Sequence, residues 1–423
     1  MLRVALFAAL LAVGCGDDDP IGTDAGDSSV VPDAAREDGA TTPLPAPPPV
    51  EPGRHDVEIL DTRQVVPGPG LGDAPIQAAN NNLDVVRFQD EVYLAIRTAP
   101  DHFASALTET LVFRSADEES WVLDATFAMG TDLREPRFLV IDDTLFLYIS
   151  ILGTNPNSFE PGEVAVTEKP VGGTWSTLEV LPQLDGHVAW RARTEGAVHY
   201  LSAYEGGETI YLDPEGEVVV RLFTTTDGRT FAPLDPLVPD LNRGGSSETD
   251  FAIGDDGMLY GVMRNEGGEE GFGLGSKVCR AAPDSLASWT CVADARKFDS
   301  PLMFWHDGEA YLVGRRNVTE TGAFDIQTEG ELRVQSVVAN LEYVRERKRC
   351  SLWRYVQGED RFAYLLDLPS RGDTCFPGYL RSSDDEIVIY NYSSPIDGED
   401  LSWVRGQNGE TRIYRHVLRF TPR

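Results

Sequence analysis

Six times between residues 83 and 392 the chain repeats one design. An apolar strand runs into a short acidic or Gly-containing turn, and a second apolar or aromatic strand follows, often ending in Arg or Tyr. The copies are LDVVRFQDEVYLAIR (83–97), EPRFLVIDDTLFLYIS (135–150), VAWRARTEGAVHYLSAY (188–204), TDFAIGDDGMLYGVMR (249–264), SPLMFWHDGEAYLVGR (300–315) and FPGYLRSSDDEIVIYNY (376–392). Successive copies start about 50–75 residues apart, and self-similarity on that scale marks a propeller or solenoid. Each hairpin has an apolar edge that it cannot bury alone. Copies arranged around an axis bury those edges against one another. The pattern predicts an all-β chain folded as a six-bladed β-propeller; a five-bladed ring is the alternative if one hairpin is misread. An isolated strand at 57–60 and a terminal strand at 413–420 predict a last blade shared by both chain ends. Such closure removes the open edges that invite aggregation.

The chain of 423 residues carries a formal net charge of -33. A surface this acidic repels nucleic acid and anionic lipid, which excludes both as partners of the folded domain. It also repels an anionic substrate unless arginines reverse the field locally.

Met1-Leu2-Arg3 supplies a positive start, and the apolar run from Val4 to Val13 is too short to span a membrane. Ala12-Val13-Gly14-Cys15 then resembles the bacterial lipoprotein cleavage box, with Ala where Leu is preferred. That resemblance implies a signal peptide over residues 1–15 and lipidation of Cys15; an ordinary secretory signal is the alternative. Residues 16–56 are mostly Asp, Ala, Gly, Thr and Pro, without aromatics. They cannot bury enough apolar surface to offset their ordering entropy, so they read as a disordered tether. The domain proper is expected over 57–423. The expected location is the outer membrane or cell surface of a bacterium, with the membrane engaged only through the lipid, and the expected state is a monomer.

Four cysteines remain: Cys279, Cys291, Cys350 and Cys375. An even count in an exported chain suggests disulfides. Cys279 and Cys291 flank a predicted strand–turn–strand, which pairs them and leaves Cys350 for Cys375. No CxxC or His/Cys cluster offers a zinc site. No cofactor is expected, and no Asp-x-Asp-x-Asp run supports a Ca²⁺ site.

After the third strand of a copy come Ser115–Trp121, Gly172–Trp175, Thr226–Phe231 and Pro283–Trp289. These resemble degenerate Asp-boxes, in which an Asp bonds its own turn and an aromatic packs beneath. They bear on fold and not on activity.

In a hairpin, the start of the first strand and the end of the second lie at one end. If all copies point alike, those positions ring one mouth of a central channel. They include Arg97, Arg134, Trp190, Arg191, Glu248, Arg264, Arg315, Asp373 and Tyr392, with Asp101 and His102 just after the first hairpin. Clustered arginines favour planar anions such as carboxylates.

These segments together resemble the sialidase superfamily over roughly residues 80–420. The matching elements are Tyr93–Arg97, Asp132-Leu133-Arg134-Glu135-Pro136, Trp190-Arg191, Glu248 with Arg264, Gly314-Arg315, and Gly372–Gly378. The resemblance implies a surface glycosidase acting on acidic glycans, with Arg97, Arg264 and Arg315 on the substrate carboxylate. It further implies a Glu base (Glu248), an Asp acid/base (Asp101) and a Tyr nucleophile. The relatives' Tyr in the sixth copy falls on Phe376, which has no hydroxyl; Tyr379 or Tyr392 would have to replace it. The alternative is a non-catalytic propeller that binds a glycan or a protein, with Trp190, Tyr204 and Phe376 as apolar platforms. A tethered scaffold without a small ligand is the third possibility.

Overall fold

The computed structural model describes residues 43–207, 217–324 and 332–423. The expected signal peptide, Cys15 and residues 16–42 of the expected tether lie outside the described residues.

The described chain forms six separate antiparallel sheets, the blades of a propeller. The innermost strands, in chain order, are Ala79–Phe88, Asp132–Ile141, His187–Glu195, Ser246–Ile253, Asp299–His306 and Gly378–Arg381. They head blades I to VI, and each blade runs outward from its first strand. His55–Val66 pairs with Arg412–Pro422 and becomes the outermost strand of blade VI, as the isolated strand before the repeats predicts. The strand extends to both sides of the expected 57–60. The tether also ends earlier than residue 56. The Glu51 N–H bonds Tyr364 O at 3.1 Å, and its carboxylate pairs with Arg354 (3.1 Å) and Arg361 (2.8 Å) on blade V.

The second strands of most hairpins are buried on both faces along nearly their whole length, and buried Val, Ile, Leu and aromatic side chains fill the seams between blades. Side chains of the inner hairpins stitch blade to blade. Asp84 accepts the Phe138 N–H at 2.8 Å, Ser150 Oγ accepts that of Ala189 at 3.0 Å, and Asp250 accepts that of Met303 at 2.6 Å. Pairing slips by a residue in the inner hairpins of blades I, II and V, where Asn82, Glu135 and Ser300 take φ of 42°, 55° and 53°. Bulges of this kind re-aim the flanking side chains, and here they lie at the arginine-bearing end of the hairpins.

The turns after the third strands behave as their composition suggests. Asp117 accepts the N–H groups of Glu119 (2.8 Å) and Ser120 (2.7 Å); Asp227 accepts those of Arg229 (2.8 Å) and Thr230 (2.7 Å). These backbone donors hold both carboxyls at about 2. The aromatic that follows reaches the preceding blade: Trp121 meets Tyr390, Trp175 meets Tyr93 and Phe231 meets Tyr148. Cys279–Cys291 and Cys350–Cys375 are both disulfides. One helix, α1 (Leu332–Arg345), sits in the connection between the second and third strands of blade V; another, α2 (Trp403–Gln407), precedes the last strand.

Candidate functional site

Four of the five expected arginines, Arg97, Arg134, Arg264 and Arg315, gather in linked clusters, but each guanidinium meets a carboxylate of the chain itself. Arg97 is 0% exposed. Its Nε bonds Asp132 at 2.9 Å, Nη1 reaches Asn81 (3.3 Å) and the Asp101 carbonyl (3.2 Å), and Nη2 reaches the Phe103 carbonyl (2.8 Å). Burial and neighbouring Arg134 push its pKa down to about 10, against the pull of Asp132. Arg134 shares Asp132 at 2.5 Å and donates to the His102 carbonyl at 2.7 Å.

A second carboxylate, Asp299, stands between two more of the expected ligands. Arg264 Nε lies 3.0 Å from one oxygen, Arg315 Nη1 lies 3.4 Å from the other, and the Tyr343 hydroxyl donates to that second oxygen at 2.7 Å. Burial opposes the charge on Asp299, yet Arg264, Lys297 and Arg315 outweigh it and hold its pKa below the usual range. Arg264 is further bound by Glu248 and Glu266, each at 2.7 Å. Arg315 also donates to the carbonyls of Thr374 and Cys375, and Trp403 of α2 stacks on it at 4.7 Å.

Asp373 forms the third hub. His102 Nδ1 lies 2.7 Å from it, while the Tyr392 hydroxyl (2.9 Å) and Trp403 Nε1 (3.0 Å) both donate to it. Burial first, and then the Asp373 charge, raise the Tyr392 pKa well above its ordinary value. A hydroxyl that donates to a carboxylate and resists ionisation is a poor nucleophile. Burial likewise raises the Glu248 pKa although Arg264 opposes it, and Glu248 Oε2 is taken by the Ser300 N–H at 2.6 Å. Asp101 accepts the Phe103 N–H at 2.8 Å and so serves its own turn. Trp190 and Phe376 are 1% and 3% exposed and meet edge to face at 5.2 Å, with Arg137 over both rings. They are packed core and not open platforms.

Arg191 does not join the mouth. It crosses the channel and bonds the Pro301 carbonyl of blade V (3.1 Å) and that of Pro377 before blade VI (2.8 Å). Thus Arg264, Arg315 and Glu248 share one cluster, Arg97 and Arg134 another, and His102, Asp373 and Tyr392 link the two. Of the residues that decide this arrangement, Asp132 stands out in the sequence only as part of the segment Asp132–Pro136, with no role of its own, and Asp299 and Tyr343 do not stand out. Asp132 and Asp299 precede the bulges that aim them, and Tyr343 lies on an insertion outside the repeats. Among the described residues no group of three or more His, Cys, Asp or Glu side chains is placed to hold a metal ion.

No protein-family model and no curated protein matches the sequence. Solved structures do. A Dyadobacter fermentans protein of unknown function aligns with TM-score 0.55 at 11% identity, over 86% of this chain and 99% of that one. Trypanosoma rangeli sialidase in complex with sialic acid aligns with TM-score 0.52 at 13% identity, over 81% of this chain and 54% of the sialidase. The fold is that of a sialidase-like propeller. Phage phi92 endosialidase shares it with TM-score 0.51 at 8% identity, over 88% of this chain and 70% of that one. The chain therefore spans about half the length of the trypanosomal enzyme. At these identities the likeness is one of architecture.

Proposed function

We propose that the protein is a non-hydrolytic, carbohydrate-binding propeller of sialidase type, exported and held at a bacterial surface by lipid on Cys15. One observation carries the reading. Arg97, Arg264 and Arg315, the residues that the resemblance assigns to a substrate carboxylate, are bonded to Asp132 or Asp299 of the same chain. An incoming carboxylate would have to displace a buried partner, at a cost of several kcal/mol. Phe376 in place of the nucleophilic Tyr, and the protonated, donating hydroxyl of Tyr392, argue in the same direction. The carbohydrate half of the reading is supported by the likeness to a sialidase in complex with sialic acid. The turns at 115–121 and 225–231 fit the Asp-box role in this family of folds.

A panel of aryl glycosides that includes an aryl sialoside tests the first half, and a glycan array tests the second. The expected result is retention of glycan without release of the aryl alcohol. Turnover lost on Arg315→Ala would overturn the non-hydrolytic reading, and an array with no bound glycan would overturn the binding one. Lipidation predicts that the Cys15→Ser protein leaves the membrane fraction.

A further inference from the structure

The channel is open at the other end. A cavity of about 360 Å³ lies along the inner strands of blades I, II, III, V and VI, on the side of the hairpin turns. Its charged wall is Asp84, Arg87, Arg191, Arg193, Glu195 and Arg381: four arginines against two carboxylates, in a chain of net charge -33. Such a local reversal of field concentrates anions, because a cleft with low-dielectric walls focuses the potential of its lining charges.

The arginines here are less fully neutralised than those of the opposite mouth. Arg193 is paired with Asp250 at 2.7 Å and more loosely with Glu195 at 3.5 Å. Arg191 spends Nε and Nη1 on backbone carbonyls, has its nearest carboxylate (Asp250) only at 4.0 Å, and keeps Nη2 buried without a hydrogen-bond partner among the described residues. An unmatched buried guanidinium donor is costly unless something fills it. Among the described residues Arg381 bonds a histidine nitrogen (3.0 Å) and a backbone carbonyl (2.9 Å) but no carboxylate, and Arg87 meets Glu118 at 3.4 Å. Val85, Leu302 and Tyr379 supply an apolar side to the same cavity. Its volume lies near the lower end of small-ligand pockets, which suits a molecule of monosaccharide size.

We propose that this end of the channel is a binding site for a small monocarboxylate, with the carboxylate directed at the arginine group of blades III and VI. The inference extends the binding reading by naming a place and a charge for the ligand. It is independent of catalysis, so turnover of a glycoside at the other mouth would leave it standing.

Calorimetric titration of the full chain tests it, with D-glucuronate as a sugar acid, benzoate as a non-sugar carboxylate and N-acetylglucosamine as a neutral control. Saturable binding of at least one carboxylate, weakened several-fold by a roughly tenfold rise in salt, is expected, and the neutral sugar should give none. Which carboxylate binds distinguishes a glycan component from another organic acid. Thr194→Trp, at the exposed rim, should weaken binding about tenfold or more by narrowing the entrance. Glu195→Gln removes a charge that repels the ligand and that pairs with Arg193 at 3.5 Å, and should tighten binding about two- to fivefold. A purely structural role for these residues would not produce opposite signs at unchanged melting temperature. Absence of heat with both carboxylates up to about 10 mM would overturn the inference. So would binding that ignores both substitutions.

Discussion

Asp299→Asn is the most informative single change. The side chain keeps its shape and loses its charge, while Arg264 (3.0 Å) and Arg315 (3.4 Å) remain buried beside it and Tyr343 still points at it from 2.7 Å. Removing one member of a buried ion cluster leaves the others uncompensated, a loss of about 3–5 kcal/mol. Glu248 and Glu266 still hold Arg264, so the lower half of that range is expected. Tyr343→Phe removes only one hydrogen bond to a charged acceptor and should cost about 1.5–3 kcal/mol. Urea unfolding at neutral pH, followed by far-UV circular dichroism, reads both losses as a shift in midpoint at constant slope. In Asp299→Ala, added acetate should recover part of the loss, because a small carboxylate can re-enter between the two guanidinium groups; the gain should exceed any that acetate gives the unaltered protein. A loss below about 1 kcal/mol for Asp299→Asn, the value of an exposed pair, would refute the reasoning.

Other outcomes follow from buried groups and crosslinks. His416 is wholly buried, and burial alone lowers its pKa to about 3. The folded protein keeps it neutral while the unfolded chain protonates near 6.5, so stability is full above that pH and falls as pH drops toward 3, by up to about 4–5 kcal/mol; His416→Gln should flatten that part of the pH–stability curve. Glu135 behaves oppositely. Burial raises its pKa to about 7, so the folded state holds a proton that the unfolded state has lost, and stability falls as pH rises from about 4.5 to 7. Glu135→Gln should abolish that fall in urea melts taken across the window. Replacing Cys279 and Cys291 by Ser opens a crosslink spanning 12 residues and should lower stability by about 2–3 kcal/mol.

Much of the ring was legible because hairpin patterning is local. Leu83–Arg97 or Ser300–Arg315 declares its strands and turn without knowledge of the rest, and the unpaired 57–60 segment pointed to the closing strand. The cysteine pairing followed for the same reason, since Cys279 and Cys291 face each other across neighbouring strands. What the repeats hid was the traffic between blades. Arg97 looks like a free strand terminus until Asp132 arrives from blade II, and Arg315 until Asp299 and the insertion carrying Tyr343 and α1 are in place. A one-residue bulge at Asn82, Glu135 or Ser300 decides which face a neighbouring side chain occupies, and strand patterning does not announce it. Trp190 looked like a ligand platform because aromatic residues near a mouth often are. The hydrophobic seam between blades took it instead.

The claim that the arginine mouth is satisfied by the chain's own carboxylates can be tested by limited modification with an arginine-selective dicarbonyl, mapped by mass spectrometry on the folded protein. Arg87 and Arg243, with side chains 46% and 50% exposed, should react. Arg97, Arg264 and Arg315 should stay unmodified with or without a sialic acid analogue. Rapid labelling of Arg264 or Arg315 that the analogue prevents would mean an open anion site at that mouth, and would contradict the account.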